Sequence, residues 1–359
     1  MDYMDRALEL AQKAIRNVSP NPPVGALVVS EGNIVGKGWT QPPGKKHAEI
    51  MALDEAKELA KDSVLYITLE PCCFYGRTPP CVEAIVEAGV KEVHVPILDP
   101  NPKVNGNGLE YLQNYGVNVV LGEQSDHAKK LVQGYSKYIL EGIPFVTVKY
   151  AMSLDGKIAS KNMDSKWISG EKSRSYVQKM RSSVDALMVG INTVKKDDPR
   201  LTVRNIKGEP IDNQPLRVII DSDGSIDAQS NVINQPGDAL VVVANREVIA
   251  GLKKTGAKVE FVSSEDGNVD LISLMKTLAS KYEITNIMVE GGGKLVGSLF
   301  DLGLVDSIAV FVAPIIVGGE NAITPVEGKG VELIKDAFHL NDVKIVRLDQ
   351  DFLIMGSVR

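Results

Sequence analysis

One histidine, one glutamate and two cysteines carry the chemistry most readily read from this chain. His47 and Glu49 fall in the run HAE, Cys72 and Cys81 in the run LEPCCFYGRTPPC. The chain has three cysteines, and that second run holds them all. One imidazole and two thiolates suit a catalytic zinc ion, because three protein ligands leave the fourth tetrahedral position open. Zinc in such a site lowers the pKa of water from 15.7 to about 7. Glu49, two residues after His47, is placed to take a proton from that water and return it to a departing amine. A closed structural site with Cys73 as fourth ligand is the competing reading. Adjacent cysteines rarely converge on one tetrahedral ion, and that arrangement leaves Glu49 idle. Cys73 alone reads as a small buried side chain.

Helices and strands must bring these groups together. Residues 3–16 carry Met4, Ala7, Leu8, Ala11, Ala14 and Ile15 at helical spacing. VGALVVSEGNIVGKGW reads as two strands joined by a turn at Glu31-Gly32-Asn33. HAEIMALDEAKELA reads as a helix, VLYITLE as a strand, TPPCVEAIVEAG as a helix and KEVHVPILD as a strand. His47 and Cys81 then lie in the first turns of helices, where free N–H groups and the helix dipole favour a thiolate. A helix near 108–115, a strand GVNVVLG and a helix over 126–140 complete a first α/β unit. A second begins with an apolar strand in FVTVKYAMSLDGKIAS. Its later strands are DALMVG, LRVIID, ALVVVA, AKVEFV, NIMVEGG and SIAVFVAP, with helices near 171–182, 269–280 and 293–301. The domains expected are 1–143 and 144–359.

Two domains also follow from 359 residues, since single cores stop growing beyond about 250–300. A formal net charge of −6 argues against a general nucleic-acid binder. No apolar run approaches the roughly 20 residues of a membrane span. The first residues lack the basic and apolar regions of a signal peptide. Three clustered cysteines make a poor disulfide framework, so a reducing, cytoplasmic setting is expected.

The order H-x-E, then P-C, then a further cysteine matches the zinc nucleobase deaminases, with a longer spacer than their commoner form. H-A-E, E-P-C-x-x-x-G-R-T-P-P-C and D-P-N-P (Asp99 to Pro102) together resemble the bifunctional deaminase–reductases of riboflavin biosynthesis. Ser153 to Lys157 (SLDGK), Ser165 to Ile168 (SKWI), Thr193 to Arg204 and Val289 to Gly292 (VEGG) resemble the reductase half of the same family. The resemblance covers essentially the whole chain. It implies a cytidine-deaminase-like three-layer α/β/α domain, then a dihydrofolate-reductase-like α/β domain with a mostly parallel sheet. It also implies removal of the exocyclic amine at C2 of a diaminopyrimidine bearing a phosphoribosylamino group. Reduction of the ribosyl group to ribityl with NADPH would follow. On this resemblance His47, Cys72 and Cys81 hold one zinc ion per chain and Glu49 is the proton shuttle. Asn21, Ala48, Arg77, Asp99 and Asn101 match positions that contact the deaminase substrate, and Arg77 suits a phosphate. Thr40 and Phe74 stand where the family usually has histidine. Phe74 either stacks on the pyrimidine or packs in its loop.

In the second half, VEGGGKLVGSLF follows a strand and opens a helix, a geometry that suits phosphate. Its spacing, G-x-G-x-x-x-G, fails the Rossmann fingerprint. By resemblance Ala151, Trp167, Thr193, Asp197, Ser222, Gly292, Gly293, Lys294, Leu295, Val296, Gly297 and Ser298 line NADPH. Ser165, Arg181, Leu201, Arg204 and Glu290, with Lys149, line the reductase substrate, Arg181 and Arg204 as phosphate clamps. Trp167 reads otherwise as a core residue. The proton donor stays open among Lys149, Glu290 and water. The partners expected are phosphorylated pyrimidine small molecules and further copies of the chain, in a dimer or tetramer, with neither nucleic acid nor membrane. One competing function is a reductase whose deaminase half binds zinc but is silent or repurposed. Another is a metal-stabilised scaffold with a closed zinc site.

Overall fold

A computed structural model describes residues 2–15, 17–122, 125–162 and 164–358. The chain divides into two compact units, Met1–Ile143 and Pro144–Arg359.

The first unit runs α1 (Tyr3–Ala14), β1 (Gly25–Ser30), β2 (Asn33–Trp39), α2 (Ala48–Ala56), β3 (Val64–Ile67), α3 (Cys81–Glu87), β4 (Glu92–Val95), α4 (Asn107–Asn114), β5 (Asn118–Leu121), α5 (Ser125–Leu131) and α6 (Gln133–Glu141). Its sheet has the order β2-β1-β3-β4-β5. β1 is antiparallel to β2 and β3, and β3, β4 and β5 are parallel. Glu31 and Gly32, with φ of 49° and 76°, supply the left-handed pair that a two-residue hairpin turn needs. Helices cover both faces. A Cβ on Gly25 would lie 2.0 Å from the Ala7 carbonyl oxygen of α1. On the other face, a Cβ on Gly38 would lie 2.0 Å from the Ala48 carbonyl oxygen of α2. That bare backbone seats the first turn of α2, with Glu49, against β2. Leu8, Leu27, Leu65, Ile67, Val93 and Leu112 belong to the core between the layers.

Two expectations shift here. Arg16, the last residue of the first expected helix, lies outside the described residues. The helix expected over 126–140 is two, parted at Val132, which has left helical geometry (φ −101°, ψ 9°). β-branched Val132 with Gly134 close behind makes a weak stretch for a continuous helix.

The second unit runs β6 (Phe145–Ser153), α7 (Glu171–Arg181), β7 (Ala186–Gly190), α8 (Ile191–Asp197), β8 (Leu216–Ile220), α9 (Asn231–Asn234), β9 (Ala239–Val243), α10 (Ile249–Leu252), β10 (Lys258–Phe261), α11 (Leu271–Tyr282), β11 (Asn286–Val289), α12 (Gly293–Asp301), β12 (Ser307–Ala313), β13 (Leu340–Leu348) and β14 (Asp351–Val358). The sheet order is β10-β9-β8-β7-β11-β6-β12-β14-β13. Pairing is parallel from β10 to β12 and antiparallel through β14 and β13. Central strands such as ALVVV of β9 are buried along their whole length, as parallel strands covered on both faces must be. Parallel strands end on one edge, so the segments after β7, β8 and β11 meet there.

Candidate active sites

Three segments far apart in sequence meet at the first site. His47 caps the N-terminus of α2, Cys81 opens α3, and Cys72 sits in the loop after β3. The His47 Nδ1 is 3.3 Å from the Cys81 Sγ and 3.7 Å from the Cys72 Sγ. All three donor atoms lie within 4.8 Å of one another. Among the described residues no other such group of His, Cys, Asp or Glu occurs. These spacings suit ligands that each reach zinc at about 2.0–2.3 Å. The other ring nitrogen of His47, Nε2, is 3.3 Å from the Thr78 hydroxyl, the kind of outer contact that orients a metal-binding imidazole.

Charge in this cluster favours a cation. Cys72 is brought down to about 4, first by the hydrogen bond from Cys81 and then against the pull of burial. Cys81 is pushed well up, by that same bond and by burial. The two thiols thus pull each other in opposite directions, and both must be deprotonated to bind a metal. Glu49 is 4% exposed and contacts Cys81. Burial, the largest influence, raises its carboxyl to about 7. Cys73 stands apart, its Sγ 3.6 Å from the Lys103 carbonyl oxygen.

The loop after β4 carries Asp99 and Asn101. Asp99 is buried, and burial raises it to about 6. The Tyr135 hydroxyl and the Asn101 N–H donate to its Oδ1 at 3.0 and 2.8 Å. Ala48 is wholly buried in α2, Asn21 is half-buried and Arg77 is exposed. Thr40 is also buried: its Oγ1 accepts from the Val24 N–H at 3.0 Å. The threonine therefore pins the end of β2 to the segment before β1. Half-buried Phe74 lies under the Lys103 ammonium, 5.6 Å from its ring centroid. Thr78, Tyr135 and Glu70 were not singled out in the sequence. Glu70 stood in the quoted E-P-C motif, but its contacts lie 29 to 39 residues away.

The second unit holds a cavity of about 940 Å³ at the edge where its parallel strands end. Thr193, Asp197, Ser222, Gly292, Gly293, Lys294, Leu295 and Ser298 line it, as does Ser165, which was expected at the substrate. Ser165 donates to the Asp197 carboxylate at 3.0 Å. A Cβ on Gly292 would lie 2.9 Å from the Thr193 hydroxyl, so glycine lets the α12 N-terminus pack close against α8 at the cavity wall. The polar lining and the α12 N-terminus in the cavity wall fit a phosphate-bearing dinucleotide. Ala151, Trp167, Val296 and Gly297 do not line this cavity. Gly297 faces the 327–328 backbone instead, where a Cβ would meet the Glu327 carbonyl oxygen at 2.0 Å. Trp167 is no core residue: it is 70% exposed, with the Arg174 guanidinium 4.8 Å from its ring.

Glu290, Arg181 and Lys149 form a buried trio. Arg181 donates to Glu290 through Nε at 2.6 Å and Nη2 at 2.9 Å, and through Nη1 to the Thr202 carbonyl at 3.1 Å. The Lys149 Nζ is 3.7 Å from Glu290. Burial alone would raise Glu290, but Arg181 and Lys149 overcome it and hold it at about 2. Burial lowers Lys149 despite the glutamate beside it. With its fork committed, Arg181 is poorly placed as a phosphate clamp. Arg204 is less buried and near enough to Arg181 and Arg200 for mutual repulsion, which adds to burial in lowering it. That is a locally positive surface. Leu201 is buried, with a left-handed φ of 48°.

The two units thus define a zinc deaminase joined in one chain to a reductase. Residues 1–96 match the cytidine and deoxycytidylate deaminase zinc-binding region, and residues 144–354 match the RibD C-terminal domain. The riboflavin biosynthesis protein RibD of Aquifex aeolicus is 39% identical over 355 residues, covering 98% of this chain and 97% of that one. The solved structure of Acinetobacter baumannii RibD superposes with a TM-score of 0.88 at 35% identity, covering 99% of this chain and 98% of that one. A diaminohydroxyphosphoribosylaminopyrimidine deaminase/5-amino-6-(5-phosphoribosylamino)uracil reductase from Thermotoga maritima gives 0.85 at 34% identity, with the same coverage. The chain belongs to the RibD family.

Proposed function

We propose that this chain carries out two successive steps of riboflavin biosynthesis. It deaminates 2,5-diamino-6-(5-phosphoribosylamino)pyrimidin-4(3H)-one, then reduces 5-amino-6-(5-phosphoribosylamino)uracil to the ribitylamino product. The observation that carries the reading is the His47, Cys72, Cys81 group with buried Glu49 beside it, in the same chain as the reductase cavity.

In the first site His47, Cys72 and Cys81 hold zinc, which when bound supplies a Lewis acid that makes water nucleophilic near neutral pH. Glu49 takes the proton of the attacking water on its carboxylate and passes it to the departing amine, a transfer suited to a group near 7. Asp99 and Asn101 hold the pyrimidine, and exposed Arg77 meets the phosphate. In the second site NADPH supplies the hydride. Thr193, Ser222, Lys294 and Ser298 hold the cofactor, with the α12 N-terminus toward phosphate. Arg204 takes the substrate phosphate. Glu290 is ionised at neutral pH and so cannot be the acid. Lys149, which burial makes readier to release a proton, is the donor to the opened ribosylamine.

The reductase-only alternative is not favoured. The metal group is complete, and Thr40 has a structural task in the strand end. Further proposals are a cytoplasmic setting and a homo-oligomer. Three free cysteines support the first. Exposed Val343 and Ile345 on the sheet-edge strand β13 support the second. Among the described residues no helix is long and apolar enough to cross a membrane.

The deciding experiment measures ammonia release from the diaminopyrimidine substrate by zinc-loaded protein without NADPH, then NADPH oxidation with the deaminated product. Both activities are expected. Zinc-loaded protein that releases no ammonia but oxidises NADPH returns the reductase-only reading.

A further inference from the structure

We propose that Glu70 is a positioning residue of the deaminase: its carboxylate locks the loop carrying Asp99 and Asn101 to the segment carrying Cys72. Glu70 is 3% exposed. Its Oε2 accepts from the Asp99 N–H at 3.0 Å. The Gly106 N–H donates to both oxygens at 2.9 Å. Oε1 also accepts from the N–H groups of Gly108 at 2.9 Å and Leu109 at 3.3 Å. Four backbone donors from one segment thus satisfy one buried carboxylate, which in a low-dielectric interior depends on them.

The geometry exceeds what capping α4 requires. Gly106, Gly108 and Leu109 are at the start of α4, whereas Asp99 is at the far end of the loop that leads to it. Glu70 therefore closes the 99–106 loop into a ring. Inside the ring, the Asn101 N–H donates to the Asp99 Oδ1 at 2.8 Å and the Lys103 N–H to the Asn101 Oδ1 at 3.1 Å. A shift of the anchor carries both side chains with it. On the other side of Glu70, Pro71 and Cys72 follow directly. A Cβ on Gly108 would lie 2.3 Å from the Pro71 carbonyl oxygen and 3.1 Å from the Glu70 Oε1, so only glycine lets the two segments meet. The carboxylate sets the distance between the metal-ligand segment and the loop that reads the pyrimidine. This inference rests on the deaminase reading of Asp99 and Asn101.

Glu70→Gln places an amide N–H₂ against backbone donors and opens the ring. In full-length, zinc-loaded protein assayed for ammonia release without NADPH, E70Q is expected to keep one zinc per chain. Its KM should rise about tenfold or more and its kcat/KM fall about 10²-fold, the scale set by misplacing a bound reactant by about 1 Å. NADPH oxidation with the deaminated substrate should not change. A merely structural role lowers kcat through loss of folded protein and leaves KM alone. Unchanged KM, or loss of zinc together with activity, overturns the proposal. Gly108→Ala forces the same two segments apart without altering charge, and the same rise in KM is expected. If E70Q does not fold, an unchanged KM in G108A overturns the proposal by itself. Wild-type protein that releases no ammonia overturns instead the deaminase reading beneath it.

Discussion

At Glu49 burial lifts the carboxyl to about 7, where it can both take and give a proton at neutral pH. Glu49→Gln keeps the shape and removes the exchange. Zinc content should stay the same, ammonia release should slow by about 10²–10⁴-fold and NADPH oxidation should persist. Ammonia release at the wild-type rate would remove Glu49 from its role. Asp99 illustrates the stability side of the same effect. Its folded pKa of about 6 lies above the ordinary 3.8, so the folded state holds the proton more tightly. Its contribution is therefore present at low pH and lost as pH rises from about 4 through about 6. At neutral pH the ionised group costs about 3 kcal/mol. Asp99→Asn should raise the melting temperature at pH 7, with the gap narrowing below pH 6 and closing toward pH 4, while KM for deamination climbs. A gap that ignores pH would refute that account. His47, Cys72, Cys81 and Glu49 were legible from sequence because metal and proton chemistry demands those residue types. Tyr135 and Glu70 were not, because their partners lie 29 to 39 residues away. For Trp167 only the competing core reading fails: size alone suggests burial, whereas the ring pairs with Arg174 at the surface.

Among the elements, α12 ties cofactor binding to packing. Its Gly297 rests on the 327–328 backbone with no room for a methyl group. Gly297→Ala should destabilise the second unit by about 1–3 kcal/mol through overpacking and raise the KM for NADPH. Thermal unfolding with and without NADPH checks both effects, and an unchanged transition would show that the loop yields freely. The buried parallel strands were readable as apolar runs. The short helices α8, α9 and α10 were not, since one or two turns show too little periodicity. Nor was the hairpin β13–β14. Much of β13 is exposed, with Val343, Lys344 and Ile345 in succession, so the alternation that marks a half-buried strand is missing.

For the molecule as a whole, the metal belongs to one activity and the nicotinamide to the other. Chelation should end ammonia release and lower the stability of the first unit, because metal binding and folding are coupled. The reduction rate should stay within about twofold; a parallel fall in both activities would show that the second site also depends on the metal. The two units also differ in when they can form. Every strand of the first sheet lies before residue 122. In the second, β6 is emitted early, yet it pairs with β11 and β12. The Val146 N–H donates to an Asp306 carboxylate 160 residues downstream. At about 5–20 residues per second, a growing chain leaves β6 without its partners for roughly 8 to 32 seconds. The deaminase half can close on the ribosome while that apolar strand waits in the open. Protease pulses on stalled nascent chains would find the first half resistant well before the second.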